Sequence, residues 1–227
     1  MILGDGVVAN VLLQRSKGQN GGWIVIATDW GFAVFCGIIA SVSVGAVGHL
    51  NPAVTLAAAI GSGEKSNVLP YWRAQMAGAI VAGVFVYLSY LPHWEITKDQ
   101  GLKLAVLCTG PAVRNIPANA LTEFLATFIV IMVGSGIGSK GMAAAGLQPG
   151  LSPYIWGVFV WAIGLSLGGP TGYAINPARD LGPRIAQAIP PIPAKGGSDW
   201  GYAAVPVLAP LAGAADGARA VKVFGVA

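Results

Sequence analysis

The stretches HLNPAVT (49–55) and AINPARD (174–180) carry one triplet twice, as Asn51-Pro52-Ala53 and as Asn176-Pro177-Ala178. Asn is among the strongest residues at a helix N-cap, because its side-chain oxygen accepts a backbone N–H that the helix leaves free. Pro is favoured at the first helical position, where its missing N–H had no intrahelical partner anyway. Both stretches therefore read as helix starts. The segments they open, His49 to Gly61 and Ala174 to Ala188, are each well short of the ~20 residues that cross a bilayer. Each follows a long apolar run and a glycine-containing link, GAVG at 45–48 and GGPTG at 168–172. An internal repeat of this kind constrains the architecture before any single motif is interpreted.

Working outward, the 227 residues are 55% hydrophobic and only 10% charged. Soluble domains carry about 25% charged residues, so this chain is suited to lipid as its solvent. The 33 glycines agree, since small residues let membrane helices approach closely. Hydropathy predicts spans at Trp23 to Val47, Val68 to Leu91, Leu121 to Gly138, Leu151 to Gly168 and Tyr202 to Val223. Residues 1 to 13 are apolar but too short to span. Glu123 precedes Asn176 by 53 positions, and the matching position before Asn51 falls ahead of Met1. The chain is thus expected to begin inside its first helix.

These elements predict an all-α membrane protein with an inverted repeat, each half holding three helices and one re-entrant half-helix. That makes six spans, the first cut short, and two half-helices. The whole chain, 1–227, reads as one transmembrane domain. Residues 1–95 form the first repeat, 96–118 a connecting loop and 119–227 the second repeat. Three spans per half make the two repeats opposite in orientation. Lys65, Arg73, Lys140, Arg219 and Lys222 then share one face, assigned to the cytoplasm by their positive charge.

Other classes are disfavoured. The net charge of +4 is scattered, without the basic stripe that nucleic-acid binding needs. Cys36 and Cys108 have no metal-ligand spacing. No metal, cofactor or catalytic group is expected, and the chain does not read as an enzyme.

In an inverted repeat the two Asn-Pro-Ala helix starts point at each other from opposite faces and meet near mid-membrane. A helix N-terminus behaves as roughly half a positive charge. Two such ends at one spot oppose cations, hydronium included. Each Asn can offer an amide N–H to a passing oxygen, while the irregular links supply carbonyls. Such backbone is tolerated at membrane depth only where it is buried or lines a water-filled cavity. Val47, Gly48, His49 and Leu50 form one carbonyl ladder; Gly172, Tyr173, Ala174 and Ile175 form the other.

On GHLNPAVT (48–55) and GYAINPARDLGPR (172–184), the chain resembles the major intrinsic protein family of aquaporins and glycerol facilitators. The resemblance implies one pore per subunit and a homotetramer in the bilayer of a cell membrane, either a bacterial inner membrane or a plasma membrane. Asp180 directly after Asn-Pro-Ala-Arg is similar to the glycerol-conducting branch. By that resemblance the selectivity filter comprises Trp30, Gly164, Tyr173 and Arg179. Two aromatic faces would hold the alkyl edge of glycerol and Arg179 its hydroxyls, with Gly164 making room where water-selective relatives carry a His. Trp30 lies 21 residues before Asn51, one more than the family pattern. Glu123 and Asp180 are expected to be structural supports.

The expected activity is passive conduction of glycerol, related small uncharged solutes and water. An ion- or proton-coupled secondary transporter is the alternative, with Asp29 as its coupling carboxylate; a non-conducting membrane protein is a third possibility. Asp5 and Asp29 both fall in apolar stretches, where an ionised carboxylate is expensive; a place near a helix end and a bond to a neighbour are the alternatives for each, and the sequence does not decide between them.

Overall fold

The half-helices form as their caps require. In the computed structural model, which describes residues 1–226, Asn51 caps a helix over Pro52–Ser62 and Asn176 caps another over Pro177–Ala188. In chain order the helices are α1 (Ile2–Leu12), α2 (Trp23–Ser43), α3 (Pro52–Ser62), α4 (Val68–Ser89), α5 (Leu91–Ile96), α6 (Gln100–Leu107), α7 (Ile116–Ile137), α8 (Lys140–Ala144), α9 (Ser152–Leu167), α10 (Pro177–Ala188) and α11 (Ala204–Val223). No strand occurs among the described residues. Three helices, α2, α7 and α9 with its leading turn from Pro149, are long and apolar enough to cross a membrane. α4 and α11 match them in length, at 22 and 20 residues. α1 has 11 residues.

Packing follows the repeat. α2 lies along α9, and each half-helix docks on the last long helix of the opposite half, α3 on α11 and α10 on α4. Small residues set these approaches. A Cβ on Gly31 would meet the Gly157 carbonyl at 2.7 Å, and one on Gly157 would meet the Gly31 carbonyl at 2.8 Å. Ala79 and Gly83 of α4 take Gly182 and Ala186 of α10, where added Cβ atoms would fall within 2.4 and 2.6 Å of their neighbours. α11 presses Gly213 onto the Phe124 carbonyl of α7. With little hydrophobic drive between helices in lipid, such close van der Waals contact is what holds a bundle together.

Several elements differ from hydropathy. α2 ends at Ser43 rather than Val47, which leaves Val47 to the irregular link. α7 starts at Ile116 rather than Leu121, because Asn115 caps it, accepting the Ala118 N–H at 3.2 Å, with Pro117 in the first turn. The connection before it contains α6, capped by Asp99. α6 packs against α1 and α10, and Val106, Leu107 and Cys108 at its end are buried with Trp94. Cys36, by contrast, sits on the outer surface of α2 rather than in a packed interior.

Candidate functional site

Each asparagine makes two kinds of bond. Asn51 Oδ1 accepts the Ala53 N–H at 2.8 Å, and Asn176 Oδ1 accepts those of Ala178 and Arg179 at 3.0 and 3.2 Å. Their Nδ2 groups then cross over. Asn51 donates to the Ile175 carbonyl at 2.8 Å, and Asn176 donates to the Leu50 carbonyl at 2.9 Å. The two motifs thus meet, and their bonds are reciprocal about a local two-fold. An amide nitrogen carries two hydrogens, so each Asn retains one N–H beyond the crossed bond. Pro52, Ala53, Pro177 and Ala178 occupy the first helical turns behind the asparagines and are buried or nearly so.

The links leading into the caps have an unusual backbone. Gly48 and Leu50 have φ of 70° and 54°; Tyr173 and Ile175, at the corresponding positions of the second half, have 38° and 44°, and Gly172 has 79°. Positive φ is strained for a bulky or β-branched residue. With these angles the links belong to neither helix nor sheet, and their carbonyls are free of that local hydrogen-bonding pattern. The second link is held from behind by Glu123 of α7. Its carboxylate accepts the Ala174 N–H at 2.9 Å, the Ile175 N–H at 2.8 Å and the Thr171 hydroxyl at 2.6 Å. On the first link, His49 Nδ1 and Thr55 Oγ1 lie 3.2 Å apart, and Thr55 also receives Gln75 Nε2 at 2.9 Å.

A cavity of about 310 Å³ runs past both motifs. Val47, Gly48, His49, Leu50 and Asn51 line one stretch of it, and Tyr173, Ala174, Ile175, Asn176 and Arg179 another. Trp30, Val34 and Ile38 of α2 and Val130, Trp156 and Val160 of α7 and α9 complete an apolar wall. One side of the path is therefore greasy and the other carries carbonyls, two amides and a guanidinium. Glu123 and Asp180 are fully enclosed behind this lining. Gly172 faces Thr109 instead of the cavity.

Trp30, Tyr173 and Arg179 come together. The Arg179 guanidinium carbon lies 3.9 Å from the centroid of the Trp30 ring, a cation–π contact. The Trp30 indole N–H and the Tyr173 hydroxyl are buried without a partner among the described residues. Gly164 plays a different part from the one its size suggests. It does not open onto the cavity; a Cβ there would lie 2.8 Å from the Tyr173 ring and hydroxyl. Gly168 is equally close to Tyr173, and Trp23 meets that ring edge-on at 5.7 Å while donating to the Gly164 carbonyl at 2.9 Å. The room left by Gly164 is filled by the ring of Tyr173, which is what places that ring at the wall.

Asp180 begins a second buried network. It accepts the Thr109 N–H at 2.9 Å and its hydroxyl at 2.6 Å, and pairs with Arg184 at 2.7 Å. Arg184 in turn donates to the carbonyls of Ser198 and Thr109 at 2.7 and 2.8 Å. This clamp ties α10 to the chain on either side of it. The roles of Thr109, Trp23 and Trp156 were not legible in the sequence, since no motif marks them. Asp29 is half-buried on α2 and does not line the cavity.

Two re-entrant half-helices meeting tip to tip in a helical bundle, with a half-polar path between them, define a multi-pass membrane channel rather than an enzyme. The chain belongs to the major intrinsic protein family, whose sequence profile matches residues 1–220. It is 54% identical to the probable glycerol uptake facilitator protein of Thermotoga maritima over 96% of this chain and 91% of that one. It is 50% identical to glycerol uptake facilitator protein 3 of Lactiplantibacillus plantarum, covering 99% of this chain and 91% of the relative. Among solved structures, the aquaglyceroporin from Plasmodium falciparum superposes with a TM-score of 0.85 at 27% identity, over 100% of this chain and 93% of the other.

Proposed function

We propose that this chain is a passive channel for glycerol, related small uncharged solutes and water, and that it excludes protons and ions. The crossed asparagine bonds between the tips of α3 and α10 carry this reading. Two positive helix ends and two spare amide N–H groups there favour a neutral oxygen and oppose a cation. A water or alcohol that accepts from Asn51 or Asn176 must turn its own hydrogens away, which interrupts a proton-conducting chain of waters. Trp30 and Tyr173 offer aromatic surface to an alkyl edge, and Arg179 offers N–H groups to hydroxyls. The named activities of the relatives from Thermotoga maritima and Lactiplantibacillus plantarum agree with this assignment.

The filter role of Gly164 is tested by Gly164→His in proteoliposomes. The imidazole displaces the Tyr173 ring toward the lumen, so glycerol flux in stopped-flow swelling falls strongly while part of the water flux remains. Unchanged glycerol flux would refute the filter assignment. By the family resemblance the channel also assembles as a homotetramer in the bacterial inner or plasma membrane; light scattering of the detergent-solubilised protein reads its oligomeric state directly.

A further inference from the structure

We infer that Asp5 on α1 is a positioning residue for Arg179, holding the guanidinium against Trp30 and balancing its charge, so that the constriction presents a neutral clamp. The inference rests on the channel reading above and extends it to a helix that no motif marks. Asp5 is fully buried, and its Oδ1 receives Arg179 Nη1 at 3.2 Å. An isolated carboxylate in such a place is expensive, and removing one partner of a buried pair leaves the other charge uncompensated. The neighbouring residue completes the arrangement. Gly4 backs onto the Trp30 ring, where a Cβ would sit 2.5 Å from a ring carbon. Consecutive residues of α1 thus seat the two partners of the cation–π contact, Trp30 through Gly4 and Arg179 through Asp5.

The consequences concern both shape and charge. Arg179 hangs on a flexible stem, and among the described residues its guanidinium has no hydrogen-bond partner other than Asp5. Tethered, it lies over the Trp30 ring and leaves its remaining N–H groups for a solute hydroxyl. Released, it swings into the lumen, which obstructs glycerol more than water. Unbalanced, it adds a full positive charge to a region where two helix N-termini already favour anions. Asp5 therefore lets a cationic side chain serve a channel for neutral solutes.

The test compares glycerol and water flux in the same proteoliposomes, so that the ratio is independent of how much protein folds, together with nitrate leak under an imposed potential. Asp5→Asn and Asp5→Val are expected to lower the glycerol-to-water ratio about tenfold, the change that 1.4 kcal/mol in a barrier produces, and to open a measurable nitrate leak. In an Arg179→Val background, adding Asp5→Val changes neither readout, because residues acting through one another are non-additive. A wild-type ratio and no leak in both single variants overturns the inference, as does an equal effect of Asp5→Val with and without Arg179. Should neither single variant fold, Asp5→Glu is read instead: it keeps the charge but shifts it by one methylene, a lowered ratio supporting the inference and an unchanged one overturning it. If wild-type vesicles pass no glycerol, it is the channel reading that fails.

Discussion

Leu50, Tyr173 and Ile175 sit in the left-handed region, each at a cost of about 1–3 kcal/mol for a residue with a side chain. Such strain persists only where the surroundings over-determine it. Here Glu123 fixes the N–H groups of Ala174 and Ile175, and the crossed asparagines fix the carbonyls of Leu50 and Ile175. Glu123→Ala would leave two backbone N–H groups and one hydroxyl buried without acceptors. The expected loss of stability is about 3–5 kcal/mol, within the range for breaking a buried network. It would be measured as a lowered unfolding midpoint in detergent, and the surviving protein would lose glycerol conduction as the second link relaxes. A stability within 1 kcal/mol of wild type, on the order of a surface substitution, would remove Glu123 from this role.

At the scale of elements, α10 is held by ions in very different settings from those of α11. The Asp180–Arg184 pair is completely buried, with further bonds to Thr109 and Ser198. The Asp216–Arg219 pair has side chains 49% and 70% exposed. Arg184→Met should cost about 3–5 kcal/mol, because Asp180 is then left charged in the interior. Arg219→Met should cost under about 1 kcal/mol. Parallel chemical or thermal unfolding of the two variants checks the contrast. The sequence announced α3 and α10 through their Asn-Pro starts and the long spans through hydropathy. It announced the start of α7 as well, through Asn115 and Pro117, but a reading by apolar content alone passes over that cap. α6 was hidden because the residues at its end, Val106 and Leu107, are buried together with Trp94 of α5 and against α1, a pairing that depends on tertiary contact.

For the molecule as a whole, the two-fold relation between halves explains which parts of the site could be read in advance. Motif residues repeat, so Asn51, Asn176 and their links were legible from spacing. Trp30, Tyr173 and Arg179 followed only by resemblance. The partnership of Asp5 with Arg179 bridges 174 positions and follows from neither. Function is expected at this scale too. Solute moves along a path without a titrating carboxylate on its wall, since Asp5 and Glu123 are enclosed and Asp29 does not line the cavity. Glycerol flux into proteoliposomes should therefore depend on the glycerol gradient alone. Imposing a pH or sodium gradient should leave it unchanged; acceleration by either gradient would establish a coupled transporter instead.

The reciprocal amide bonds also order events during biosynthesis. Asn51 finds its acceptor at Ile175, 124 positions further along, and Leu50 waits for Asn176, 126 positions from it. A ribosome has to translate most of the message before either loop can close. Neither crossed bond can therefore form on a polypeptide interrupted before Ile175.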